Sequence, residues 1–212
     1  MSAAATPEEG SLVDLLGDAS RPRLAGRLLG RMLEAGAAGR LLARLLRAPA
    51  RARRPMTALT RAHARLLRAS GGRMRRSWLF AAGQPVMALT TVGRRSGARR
   101  TTPVTAFACA GKLAAAGMNL GSERSPAWSH NLRANPHAWI TLGGRTIAVT
   151  ARLESGPERE ELWTRWTELQ PSAAAFAALA SRAIPMFVFE QRRAVPAEGA
   201  PARDQSSSES LT

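Results

Sequence analysis

Arg94, Arg95, Ser96 and Arg100 stand within seven residues of one another, around a turn with glycine at both ends, Gly93 and Gly97. Glycines there allow sharp backbone angles and close approach of a ligand. Successive amides in such a turn can form an anion-binding concavity, and arginines add fork-shaped donors suited to phosphate or carboxylate. The segment is neither a Walker loop nor a dinucleotide fingerprint, because neither GxxxxGK[ST] nor GxGxxG occurs. The plainer alternative is a solvated hairpin turn with arginines for solubility. Thr101-Thr102-Pro103, which follows, suits any strand.

About thirty residues later comes Pro126-Ala127-Trp128-Ser129-His130-Asn131-Leu132. On a helix, Trp128, Asn131 and Leu132 lie within one turn of each other. Free amides at a helix start favour a negative ligand. Trp128 and Leu132 serve equally well as core anchors, and Asn131 as a cap for a neighbouring loop. His130 has a reference pKa near neutrality, which suits a proton donor as well as a structural residue. Trp163 and Trp166 fall at i+3 and read as core. Cys109 sits at a turn with no local base. No GxSxG occurs, and no acid–His–Ser spacing stands out.

These residues must be carried by a chain of 212 residues, 45% hydrophobic, enough for one ordinary core. One cysteine excludes an internal disulfide and fits a reducing, cytoplasmic setting. His63, His130 and His137 have no close metal-ligand pairing, so neither zinc nor iron is expected. The net charge of +16 is concentrated in residues 21–80, which hold sixteen arginines against one acid, Glu34. Lys112 is the single lysine, and the arginine–alanine bias points to a GC-rich genome. No apolar run approaches the length of a membrane span. Residues 1–20 lack the basic start and apolar centre of a secretion signal.

Residues 1–20 read as a disordered lead and 191–212 as a disordered tail. From 21 to 47, leucines and arginines recur at helical spacing: Leu24, Leu28 and Met32 beside Arg23, Arg27 and Arg31. Residues 49–55 are a basic linker, and 56–69 form another amphipathic helix. These basic helices over 21–76 allow three readings: nucleic-acid binding, contact with an anionic membrane, or packing against the domain. Their apolar stripes and scarce aromatics disfavour nucleic acid.

Beyond residue 80 the period changes. Strands are expected at 86–92, 100–108 and 112–118, with turns at 93–99 and Ala110-Gly111. A helix begins at Ser125 as cap with Pro126 at its first position and ends at Asn135-Pro136. A hairpin turns at Gly143-Gly144 between 138–142 and 146–153. Ser155 and Glu158 form a capping box for a helix to about Leu169. A helix over 172–182 and a strand over 186–190 complete an α+β, barrel-like domain over 81–190.

The ordered combination of Met87 to Gly97, Arg100 to Pro103 and Pro126 to Pro136 resembles the deazaflavin-dependent nitroreductase family, which includes quinone reductases. Gly143-Gly144-Arg145-Thr146 and Ile184-Pro185-Met186-Phe187-Val188 fall where that family has its hairpin and closing strand. The likeness covers residues 56–190. It implies a split β-barrel of the flavin-reductase-like kind with flanking helices, preceded here by the basic helical extension of 21–55. It also implies coenzyme F420, an 8-hydroxy-5-deazaflavin with a phosphate and a polyglutamate tail, whose reduced form gives hydride to a quinone, nitroaromatic or other conjugated acceptor.

On matching positions the resemblance assigns cofactor contacts to Arg94, Arg95 and Ser96. It continues them through Arg100, Thr101, Thr102, Pro103, Val104 and Thr105 to Ala116, Gly117, Met118 and Asn119. Ala127, Trp128, Ser129, His130 and Asn131 supply the helix. An acceptor pocket falls near Ala173 and Phe176. Where the family carries tyrosine after the tryptophan this chain has Ser129, and it contains no tyrosine at all. Ser129 and His130 are then the candidate proton donors. The rival expectation is a non-catalytic, membrane-associated F420-binding protein, peripheral on the inner face of the cell membrane through residues 21–76.

Overall fold

The computed structural model describes residues 12–16, 65, 69, 84–170, 172–180 and 182–192. The helices expected over 21–47 and 56–69 lie outside the described residues, except that Arg65 and Ala69 are helical.

Seven strands form one antiparallel sheet. They are β1 (Val86–Val92), β2 (Arg99–Thr105), β3 (Phe107–Cys109), β4 (Lys112–Ala116), β5 (His137–Leu142), β6 (Arg145–Leu153) and β7 (Met186–Gln191). The spatial order is β2-β1-β5-β6-β7-β4-β3. β2 and β3 stand at opposite ends of this order, yet only Ala106 separates them in the chain. The expected single strand of 100–108 therefore changes partner at Ala106, pairing with β1 before it and β4 after it. Ala106 is fully buried and its amide donates to Pro85 O at 3.0 Å, which replaces a ladder bond at the bend. The sheet curls so that one continuous stretch of chain ties its two ends. This is the expected α+β split barrel.

Strand alternation fills two cores. Phe187 and Phe189 of β7, with Leu113 and Ala115 of β4, point into the barrel beside Met87, Leu89, Ile140, Leu142 and Val149. Met186, Val188 and Ala114 point the other way, to a second cluster with Phe107, Leu162, Trp166 and Ala173. Strands buried on both faces need apolar residues at every position, as β7 begins with Met-Phe-Val-Phe. Each such buried side chain contributes about 1.5–3 kcal/mol. The second core is roofed by α2 (Gly156–Leu169) and α3 (Ser172–Leu179). Phe107 and Trp166 meet there with ring centres 5.0 Å apart. Trp166 is core as expected, and Trp163 packs half-buried against the same cluster.

Several local expectations need correction. Ser155 is the N-cap of α2 but makes no capping bond, because Gly156, with φ of 58°, intervenes before Pro157. The strand after Lys112 ends at Ala116, since the Gly117 amide leaves the sheet to bond Pro185 O. α3 stops at Leu179 and not at 182. Residues 12–16 are no loose lead: Leu12 and Leu16 are buried in the barrel core. The first residue of the expected tail, Gln191, pairs with Val149 in the sheet.

Candidate functional site

A cleft of about 730 Å³ opens between the β1–β2 turn and α1 (Ala127–Ala134). Gly93, Arg94, Arg95, Ser96, Arg99, Arg100, Thr101 and Thr102 line one side, and Ala127, Trp128, His130 and Asn131 the other. The two segments singled out in the sequence thus face each other. Pro103, Val104, Thr105, Ala116, Gly117, Met118, Asn119, Ala173 and Phe176 do not line this cleft. Val104 belongs to the barrel core and Ala173 is fully buried in the second.

The turn is closed by Gly93 N donating to Ala98 O at 2.9 Å and Gly97 N to Gly93 O at 2.8 Å. Gly97 has φ of 66°, the left-handed region that disfavours any side chain. Ala98 N reaches Ser96 Oγ at 3.4 Å and Arg94 N reaches Asn131 Oδ1 at 3.2 Å. Among the described residues only the amides of Arg95 and Ser96 in this turn make no bond. The anion-binding concavity is therefore two amides wide. Around it stand four guanidiniums, none of them ion-paired among the described residues. Arg99, which the sequence reading passed over, lies 4.0 Å above the Trp139 ring. It occupies the same strand face as Thr101, two residues on, and that alternation was the available signal.

α1 starts one residue later than expected. Pro126 is its N-cap, no side chain caps it, and its first turn carries no acid. Its positive end borders the cleft without a partner of its own. Trp128 is almost wholly buried, edge-on to Phe187 with ring centres 5.4 Å apart, so only a margin of the indole faces the cleft. His130 is exposed at the wall.

Ser129 is corrected as a proton donor at the cleft. It is fully buried, and its hydroxyl donates to Pro126 O at 2.9 Å. Helical geometry turns it about 100° from Trp128 and His130, inward. Asn131 lines the cleft, yet its amide is engaged within the protein. Oδ1 accepts from Arg94 N, and Nδ2 donates to Thr91 Oγ1 at 2.9 Å. Strand, turn and helix are joined by this one side chain. A second cavity, of about 590 Å³, lies at the β3–β4 turn beside Cys109, Glu161, Arg165 and Glu168. Burial, and then the Glu161 charge, push the Cys109 thiol above its ordinary pKa, which makes it a poor nucleophile.

A family model described as F420H(2)-dependent quinone reductase matches residues 59–191. This chain belongs to that family. F420H(2)-dependent quinone reductases from two Mycobacterium tuberculosis strains are each 29% identical over 137 residues, 63% of this chain and 91% of theirs. A solved F420-H2-dependent reductase is 33% identical, covering 50% of this chain and 94% of that one, with a TM-score of 0.46. As a member of the F420H(2)-dependent quinone reductase family, the protein is an oxidoreductase whose hydride donor is reduced coenzyme F420. The cleft suits that cofactor chemically. Unpaired guanidiniums and two unused amides answer its phosphate and carboxylates, and an indole margin answers its flat ring.

Proposed function

We propose that the protein reduces a quinone with F420H2 bound in the cleft between the 93–97 turn and α1. The observation that carries this reading is the group of four unpaired arginines around the two free amides of Arg95 and Ser96. When bound, the reduced deazaflavin supplies a hydride, so the protein needs no nucleophile. Arg94, Arg95, Arg99 and Arg100 hold the anionic groups of the cofactor. The Thr101–Thr102 backbone and Trp128 border its ring. His130, exposed on the same wall, donates the proton that completes reduction of the acceptor. The contacts that resemblance assigns to Pro103–Thr105 and Ala116–Asn119 fall beyond this cleft, and we assign them to the far end of the same ligand. Ala173 and Phe176 are the proposed acceptor side, and a nitroaromatic is the proposed alternative acceptor.

Absence of tyrosine favours a second reading, a cofactor-binding protein without turnover. No helix among the described residues is long and apolar enough to cross a membrane. The proposed peripheral contact of 21–76 with an anionic inner membrane face rests on composition, and vesicle co-sedimentation tests it. Titration with oxidised F420 beside FMN, followed by turnover on a quinone and nitroaromatic panel, separates the readings. Binding with quinone reduction supports the enzyme, binding alone supports the carrier, and preference for FMN rejects both.

A further inference from the structure

Away from the cleft, one buried cation is satisfied by main chain and not by an acid. Arg182, in the connection between α3 and β7, is half-buried. Its Nε donates to Ser122 O at 3.0 Å, and its Nη2 to Gly117 O at 3.1 Å and Met118 O at 3.0 Å. Its Nη1 reaches Ala183 O at 3.3 Å. No carboxylate pairs with it among the described residues. Burial lowers its pKa from the ordinary arginine value. A planar fork of N–H donors can meet carbonyls in several directions at once, which a single ammonium cannot.

The loop that Arg182 grips needs an external hold. Asn119 sits at φ of 51°, an uncommon conformation for a residue with a side chain. Gly117 N donates to Pro185 O at 2.8 Å, and a Cβ on Gly117 would stand 2.6 Å from Pro185 Cγ. The 182–185 connection therefore clasps the loop from two points. Asn119 Nδ2 then reaches Arg124 O at 2.8 Å, and only Ser125 and Pro126 remain before α1 begins.

We propose that Arg182 is a positioning residue for the cofactor cleft. By holding the carbonyls of Gly117, Met118 and Ser122 it fixes the loop that launches α1. The start of α1 then keeps Trp128 and Asn131 against the 93–97 turn. This inference rests on the reading of that cleft as the F420 site.

The test compares full-length wild type with R182Q and R182K. Three quantities are measured: thermal stability, amide hydrogen exchange over 117–128 in the unliganded protein, and the Kd for oxidised F420. R182Q is expected to keep its sheet by circular dichroism, to exchange at least tenfold faster over 117–128, and to bind at least tenfold more weakly. Added methylguanidinium restores part of the R182Q affinity and leaves wild type unchanged. If R182Q does not fold, R182K carries the test, with a smaller loss of affinity and the same local loosening. Unchanged Kd in a folded variant, or exchange rates over 117–128 that match wild type, overturns the proposal. Wild type that fails to bind F420 rejects the cleft reading instead, while the exchange rates still decide what Arg182 holds.

Discussion

Replacing Asn131 with alanine separates a residue that holds the site together from one that touches the ligand. Its side chain is only 7% exposed, and Thr91, which receives the Nδ2 bond, is 1% exposed. The substitution leaves the Thr91 oxygen in a dry pocket, a desolvation cost of about 1–3 kcal/mol. Water can reach the exposed Arg94 amide, so that bond accounts for no more than about 1 kcal/mol. Asn131→Ala should therefore lower the unfolding free energy by about 2–4 kcal/mol with no ligand present. Thr91→Val in the same background removes the orphaned hydroxyl and should restore about 1 kcal/mol, a coupling that a double-mutant cycle isolates. Urea unfolding followed by far-ultraviolet circular dichroism gives all four values. Loss of the Arg94 tether also frees the turn, so F420 affinity falls in the single and the double variant alike. Asn131→Ala with unfolding free energy within about 0.5 kcal/mol of wild type, and no coupling to Thr91, would refute the reasoning, because distant, unlinked sites add within that margin.

Arg100→Gln should weaken F420 binding about tenfold, the scale of one charge-assisted bond, and flatten its dependence on salt. Isothermal titration at two ionic strengths reads both. His130→Gln should lower quinone turnover and remove its acidic pH limb while F420 affinity changes little, as pH–rate profiles at saturating cofactor will show. For Cys109 the folded thiol titrates above its ordinary value of 9.0. The folded state therefore holds its proton longer than the unfolded state, and stability declines as pH rises through 9.0 towards the folded value. The slope for one proton cannot exceed about 1.4 kcal/mol per pH unit, and Cys109→Ala should abolish it. Urea unfolding between pH 7 and 10 measures the difference.

The strands were legible where residue chemistry and spacing agreed. β1 is expected and found at Val86–Val92, because Val-Met-Ala-Leu-Thr-Thr-Val suits a pleated, buried surface. Gly143-Gly144 marks its hairpin in the same way. The switch of partner at Ala106 was not legible, since alanine carries no sign of which neighbour a strand will pair with. Proline at 126 suited either the cap or the first helical turn, and that one-residue difference decides whether Ser125 caps anything. Both segments of the cleft were found from their donors and their order. The use of those donors was not: Asn131 and Ser129 were read as ligand-facing, but burial commits one amide and one hydroxyl to the protein itself. Arg182 left no signal either, because its partners are main-chain carbonyls about sixty residues earlier. The positions of Leu12 and Leu16 were equally hidden, for two leucines in a polar lead give too short a pattern to read.

The central claim is that the arginine-rich turn and α1 together form a site for the deazaflavin and not for another flavin. Titrating the full-length protein with oxidised F420 and, separately, with FMN tests it most directly, with tryptophan fluorescence as the readout. The account predicts saturable binding of F420 at micromolar concentration or below, quenching that disappears in Trp128→Phe, and affinity that falls as salt rises. Saturation by FMN with no response to F420, or F420 binding untouched by removal of Arg94, Arg95 and Arg100 together, would contradict it.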